Sequence, residues 1–191
     1  MKNIIILILI LTFVSCKAQQ TVNLNTFNQG NNVNKYFKDI DNHFIPFLGT
    51  WENTTGEITL RVILYKTERK PYGYPVSFYM DRIEGKFLII KNAGTILEEI
   101  IHDSVKYYPI SGQTLTSVIL GGSSNGISLG AFIQDNSVDE NTIGILEGNL
   151  TMKILNIGNI PLQADWKVFR KGLSIQGWDF NVPTDVILTK Q

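Results

Sequence analysis

Phe47-Leu48-Gly49-Thr50-Trp51-Glu52 stands where the residue pattern of the chain changes. Upstream of it, Val33, Tyr36, Phe37, Ile40 and Phe44 recur at i, i+3, i+4, i+7 and i+11, the spacing of one face of a short helix. Asn32 or Asn34 can cap that helix. Pro46 ends it, because proline restricts the residue before it and donates no hydrogen bond. Downstream the period falls from about 3.6 residues to 2. Ile58, Leu60, Val62 and Leu64 alternate with Thr59, Arg61, Ile63 and Tyr65, the mark of a half-buried strand. Gly49 permits a tight backbone path between the two regimes, and Trp51 opens the strand region.

The period-2 pattern then recurs to the end of the chain. Residues 66–75 carry charges, two prolines and Gly73, and read as a loop. Val76, Phe78 and Met80 alternate until Glu84-Gly85, where a glycine inside a strand pattern predicts a bulge or bend. Phe87 to Ile90 follow, and Ala93-Gly94 reads as a hairpin. Further strand runs fall at 96–101, 115–120, 127–133, 142–155, 166–169 and 186–188, with the Asn125-Gly126 turn between the second and third of them. No second helix is predicted, which excludes alternating strand–helix architectures. The expected fold is all-β: an antiparallel meander closing into a barrel of about 8–10 strands, preceded by one short helix. A two-sheet sandwich has the same period and stays open.

The first residues read differently. Lys2 followed by the apolar run 4–14 is too short for a bilayer span of roughly 20 residues, and has the make-up of a secretory signal. Phe13-Val14-Ser15-Cys16 resembles a bacterial lipobox, with Phe13 where Leu is usual. The resemblance implies cleavage before Cys16, a thioether-linked diacylglycerol and an acylated, palmitate-type amino group; the alternative is an ordinary secretory signal. Two or more acyl chains at one residue suffice for stable anchoring. Residues 1–15 are then the signal peptide, 16–32 a flexible tether rich in Gln, Asn and Thr, and 33–191 a single β domain. The chain holds 17 basic and 17 acidic residues, so removing Lys2 leaves one acid in excess. Such a balance, with no basic run, offers nucleic acid little to hold. Cys16 is the only cysteine, so no disulfide is expected.

Two family resemblances rest on these segments. A short helix, Gly49-Thr50-Trp51 and a meander resemble the opening of lipocalin-like barrels, in which the Trp plugs the closed end under a stacked Arg. The resemblance implies structural parts for Gly49 and Trp51, and Arg170 is placed in sequence to supply the cation. Ser15-Cys16-Lys17-Ala18-Gln19, Phe47 to Glu52, the run Met80-Asp81-Arg82-Ile83-Glu84-Gly85-Lys86-Phe87 and Lys91-Asn92-Ala93-Gly94 resemble small lipoproteins of unknown function from Bacteroidetes-type bacteria. That likeness covers the N-terminal half and implies location without a mechanism. Lys17-Ala18-Gln19-Gln20 lacks the acidic pair of surface-export signals, which by analogy favours the periplasmic face of the outer membrane.

Catalytic and metal chemistry find few candidates. Only His43 and His102 are present, too few for a histidine-rich zinc site. His102-Asp103-Ser104 holds the residue types of a triad, but sequence neighbours do not converge as a triad must. The loop 121–126 lacks the Lys-Ser or Lys-Thr of a phosphate loop. Asp135, Ser137, Asp139 and Asn141 begin like a calcium loop, yet Glu140 stands where Gly is needed and Leu146 where a bidentate Glu is needed. Glu98 and Glu99 point to opposite strand faces. No catalytic residue, cofactor or metal ligand is therefore expected. The leading expectation is a barrel that binds a small apolar or amphipathic molecule in the envelope. A solid barrel acting as a protein-interaction or structural module is the alternative, and a hydrolase using cross-strand acids the third reading.

Overall fold

The computed structural model describes residues 19–27, 31–108, 113–137, 146–171 and 179–191. Residues 1–15, read above as a signal, and Cys16 lie outside them, as do Asp139, Glu140 and Asn141. The strands β1 (Gln20–Asn23) and β2 (Lys35–Lys38) precede the barrel. β3 (Gly49–Thr55), β4 (Ile58–Tyr72) and β5 (Phe78–Lys91) form its first, long-armed meander. An excursion through β6 (Glu99–Asp103), β7 (Lys106–Tyr108) and β8 (Gln113–Leu115) follows. β9 (Ile119–Gly122), β10 (Ser128–Asp135), β11 (Leu146–Ile154), β12 (Gln163–Arg170) and β13 (Asp185–Lys190) complete the chain.

Eight of these strands close into a ring in the order β3-β4-β5-β9-β10-β11-β12-β13, every pairing antiparallel. The ring shuts at two seams. β5 meets β9 through Ile83↔Gly121, Glu84↔Leu120 and Gly85↔Ile119, and β13 meets β3 through Thr189↔Glu52 and Lys190↔Trp51. Closure of this kind removes the unpaired edges of its eight strands. The barrel was the expected fold, and the sandwich is excluded by the two seams.

Alternation along each strand sends one set of side chains inward. Leu60, Val62 and Leu64 of β4, Leu150, Met152 and Ile154 of β11, and Trp166 of β12 join Trp51 and Phe87 in one continuous core. Each large side chain so buried stabilises the fold by about 1.5–3 kcal/mol. Trp51, Phe87 and Trp166 have no exposed surface, and both described cavities lie outside the lumen. Among the described residues, bulky side chains from several strands meet in the barrel's interior.

Glycines make the seam at β9 possible. A Cβ on Gly121 would come within 2.3 Å of the Gly130 carbonyl oxygen and 2.4 Å of the Ala131 Cβ. Gly121→Ala is expected to cost at least about 1–3 kcal/mol through overpacking. Urea denaturation checks this, and an unchanged midpoint would show that β9 can shift to make room.

The structure differs from local expectations at four places. The helix over residues 33–44 does not form. β2 pairs in parallel with β1 on one side and with β5 on the other, so its backbone groups are spent on a sheet. Val33 and Ile40 are 57 % and 52 % exposed while Phe37 and Phe44 are buried, so the helical spacing marks no common face. Among the described residues the helical turns before β3 are the 3-10 turns Leu24–Thr26 and Ile45–Phe47, and Pro46 helps to begin the second. Residues 66–72, read as a loop, extend β4 to Tyr72. The bulge lies between Thr67 and Lys70, whereas Gly85 pairs in register with Leu64. Within the stretch read as a tether, Gln20–Asn23 forms β1.

Candidate functional site: a groove beneath the Trp51 end of the barrel

One end of the barrel is sealed by the chain leading into β3. Gly49 takes φ +112°, a conformation that favours glycine, and the Lys190 Cε lies 3.4 Å from where its Cβ would be. Trp51 then turns inward, and its indole N–H donates to the Phe47 carbonyl at 2.7 Å. The cation over the Trp51 ring is Lys190, 5.4 Å from the centroid, with its ammonium donating to the Pro46 carbonyl at 3.0 Å. Burial holds the Lys190 amine below its ordinary pKa. Arg170 does not take this place. Lys190 pairs with Trp51 and its amide donates to the Leu162 carbonyl just before β12, whereas Arg170 ends β12 opposite Gly148 at the other end of the barrel. Lys190, on β13, is Trp51's pairing partner.

Below this plug lies a buried carboxylate that ties three segments together. Asp81 continues the inward-facing series Phe87, Gly85, Ile83 of β5 past the ring and is fully buried. Its Oδ1 accepts from the Tyr36 hydroxyl of β2 at 2.5 Å and from the Arg69 amide at 3.2 Å. Its Oδ2 accepts from the Asp39 amide at 3.1 Å and faces the Lys66 ammonium at 3.2 Å. The β4 bulge places two residues, Glu68 and Arg69, opposite this one carboxylate, and Arg69 adopts φ +52°. The bulge thus re-aims an amide that a regular ladder would point elsewhere. Burial raises the Asp81 pKa, but these hydrogen bonds outweigh it and hold the carboxyl below its usual range. Burial and then the bond to Asp81 push the Tyr36 phenol up. Asp39, itself buried, extends the clasp by accepting from the His43 and Phe44 amides at 2.9 and 3.2 Å.

The clasp positions the walls of a groove on the barrel's outside. Leu24, Asn25 and Phe27, just after β1, face Met80 of β5 and Gly122, Ser123 and Ser124 after β9, enclosing about 310 Å³. Phe27 is held by Phe37 and Phe78, with ring centroids 5.2 and 5.4 Å away. Asn23 and Asn25 both donate to the Asp41 Oδ2, at 2.8 and 2.9 Å, which docks the strap against the barrel end. On the opposite wall, Ser123 accepts from the Gly126 amide at 3.0 Å and Asn125 from the Ile127 and Ser128 amides at 2.9 Å. The Asn125-Gly126 turn was legible in the sequence; the groove was not, because its apolar wall comes from the segment read as tether. The second described cavity is a depression of about 620 Å³ outside β3 and β4, with the Glu52–Arg61 ion pair on its floor.

Other sequence candidates are dispersed. His102 Nε2 lies 3.0 Å from the Asn136 side-chain oxygen, and the Ser104 hydroxyl accepts from the Phe87 amide at 2.9 Å. Asp103 accepts from the Val105 amide, and Asn136, besides meeting His102, donates to the Ser104 carbonyl at 2.9 Å, so the three side chains do not converge on one another. Asp135 is fully buried and accepts from the Ser137, Asn181 and Val182 amides. Among the described residues no three His, Cys, Asp or Glu side chains gather as a metal site, and no helix is long and apolar enough to cross a membrane.

These features define a small, closed eight-stranded antiparallel β-barrel with a strapped outer groove. The chain belongs to a family of unknown function, DUF6705, whose model matches residues 1–191. No curated protein and no solved structure shows detectable similarity to it.

Proposed function

We propose that the protein is a lipid-anchored lipoprotein of the bacterial outer membrane, on its periplasmic face, that binds a small apolar or amphipathic molecule. The lipobox supports the anchor: cleavage before Cys16 and acylation there tether the barrel to the membrane. The observation that carries the binding reading is the groove of about 310 Å³ between Leu24, Phe27 and Met80 on one side and Ser123 and Ser124 on the other. That volume is at the lower bound of ligand pockets, and its apolar floor with a few hydroxyls at the rim suits an amphipathic occupant. Neither a catalytic residue nor a cofactor belongs to this reading.

The test is native mass spectrometry of the full chain purified from its own envelope. An adduct that leaves on denaturation is expected, and it should be lost in Met80→Trp and in Ser124→Tyr, which fill the groove from opposite walls. A clean apo mass, or an adduct retained in both variants, refutes the groove as the site.

A second reading has its own observation. Ile96, Leu97, Ile100 and Ile101 are all exposed around β6, at the barrel end away from Trp51. Such clustering favours an envelope protein docking there. Cross-linking from position 97 to a single partner in intact cells is the outcome that would favour it over the groove.

A further inference from the structure

We infer that the tip of the β4–β5 arm is a membrane-docking element that inserts beside the lipid anchor; the inference rests on the lipoprotein reading above. β4 and β5 run past the ring, pairing out to Pro71↔Tyr79 and Tyr72↔Phe78. The turn between them, residues 73–77, carries Tyr74 at 105 % relative exposure, with Tyr72 and Val76 exposed beside it. Val33 joins this patch, because the next residue, Asn34, donates its amide to the Ser77 carbonyl at 2.8 Å. No acidic residue occurs in 31–38 or 70–80, while Lys35 and Lys70 flank the patch. Tyrosines with an aliphatic neighbour and nearby lysines are what a headgroup interface accepts: the rings lie among the glycerol groups and the ammonium groups meet phosphate.

Strand direction makes the bilayer the occupant. β1 is parallel to β2, and β2 is parallel to β5, so all three run from the arm's tip toward the barrel. The chain upstream of β1 therefore leaves on the tip side. Gln19 is fixed there, donating to the Lys35 carbonyl at 3.5 Å and accepting from Arg69 at 2.8 Å. Cys16 is three residues before Gln19, a reach of about 10 Å at full extension. An acylated Cys16 thus holds the membrane surface on the side of the domain where Val33, Tyr72, Tyr74 and Val76 are exposed, so that the tip faces lipid.

The experiment uses the full-length, membrane-extracted protein in vesicles of phosphatidylethanolamine and phosphatidylglycerol with brominated acyl chains. Tyr74→Trp and, as the far-end control, Ile96→Trp are compared with the parent, whose emission is subtracted. Intact mass is recorded on each sample, so that the anchor and the arm are read separately. The expected result is an acylated chain in which the Tyr74→Trp signal is blue-shifted and loses most of its intensity to bromine, while Ile96→Trp is unaffected. An acylated chain with both tryptophans unquenched, or both quenched alike, overturns the arm and leaves the anchor standing. A chain with no acyl mass overturns the anchor, and the arm inference falls with it.

Discussion

Trp51→Ala is expected to remove much of the domain's stability. The ring is completely buried in the core, so its deletion costs about 3–5 kcal/mol in lost transfer energy and residual cavity. The Phe47 carbonyl loses its donor at the same time, adding about 1–3 kcal/mol if no water reaches it. Against a total of about 5–15 kcal/mol for a typical domain, that is a large share. Urea denaturation should show the midpoint falling with a nearly constant slope, and a drop of roughly 10 °C or more in Tm. Trp51→Phe keeps most of the buried surface and should cost far less. Lys190→Met should be destabilising by about 1 kcal/mol through the lost cation–ring contact, with Arg170→Met leaving the Trp51 environment unchanged. A Trp51→Ala protein as stable as its parent would mean that the plug is not what seals this end.

Asp81→Ala is expected to be nearly as damaging, for an electrostatic reason. Removing the carboxylate leaves the Tyr36 hydroxyl, the Lys66 ammonium and the Asp39 and Arg69 amides facing an apolar methyl. Breaking a buried ion pair from one side typically costs about 3–5 kcal/mol. The same group sets the acid limit of the fold. Its folded pKa is lower than that of the unfolded chain, so the native state binds fewer protons, and the stabilisation is complete above the unfolded value of about 4. It is lost as pH falls below that value through the depressed folded pKa. Glu84, held down by Arg82, Thr67 and Lys70 after burial has pushed it up, adds to the same acid limb. Tyr36 and Lys66 are both raised, so their contribution is complete below the unfolded values near 10 and fades as pH rises beyond them. Asp81→Asn should therefore flatten both limbs of the stability–pH curve. A variant with the parent's acid limb would show that other carboxylates govern it.

The barrel was legible because most of its strands write their burial into their own residues. Leu60, Val62 and Leu64 of β4 need no knowledge of the rest of the chain to be read as one face of a half-buried strand, and the structure buries that face. Closure could be expected from the number of such strands, although the seams themselves depend on pairs such as Ile83↔Gly121 that no local window contains. The misread helix fails for the converse reason. Phe37 and Phe44 belong to different clusters, one against Phe27 and Phe78 and the other in the barrel core, and their spacing happens to match a helical face. Asp81 sits in a quoted motif, yet nothing in Met80-Asp81-Arg82 marks it as buried; Tyr36, which fixes its role, is 45 residues away. The candidate groove was hidden for a similar reason. Leu24 and Phe27 are isolated apolar residues in a polar stretch, and only docking against Met80 and Gly122 gives them a wall to complete.

The seam between β3 and β13 also orders events in time. Trp51 and Lys190 lie near opposite ends of the domain's sequence, so this pairing cannot form until β13 has been synthesised. Contacts so far apart in sequence form slowly, since the intervening chain must be ordered first. In the interval β3 and β12 each present a free edge and Trp51 lacks its lysine, the condition in which β proteins pair with the wrong neighbour. A chain that crosses a membrane from its amino end would spend its whole transit in that open state, and would need protection from its neighbours until the last strand arrived.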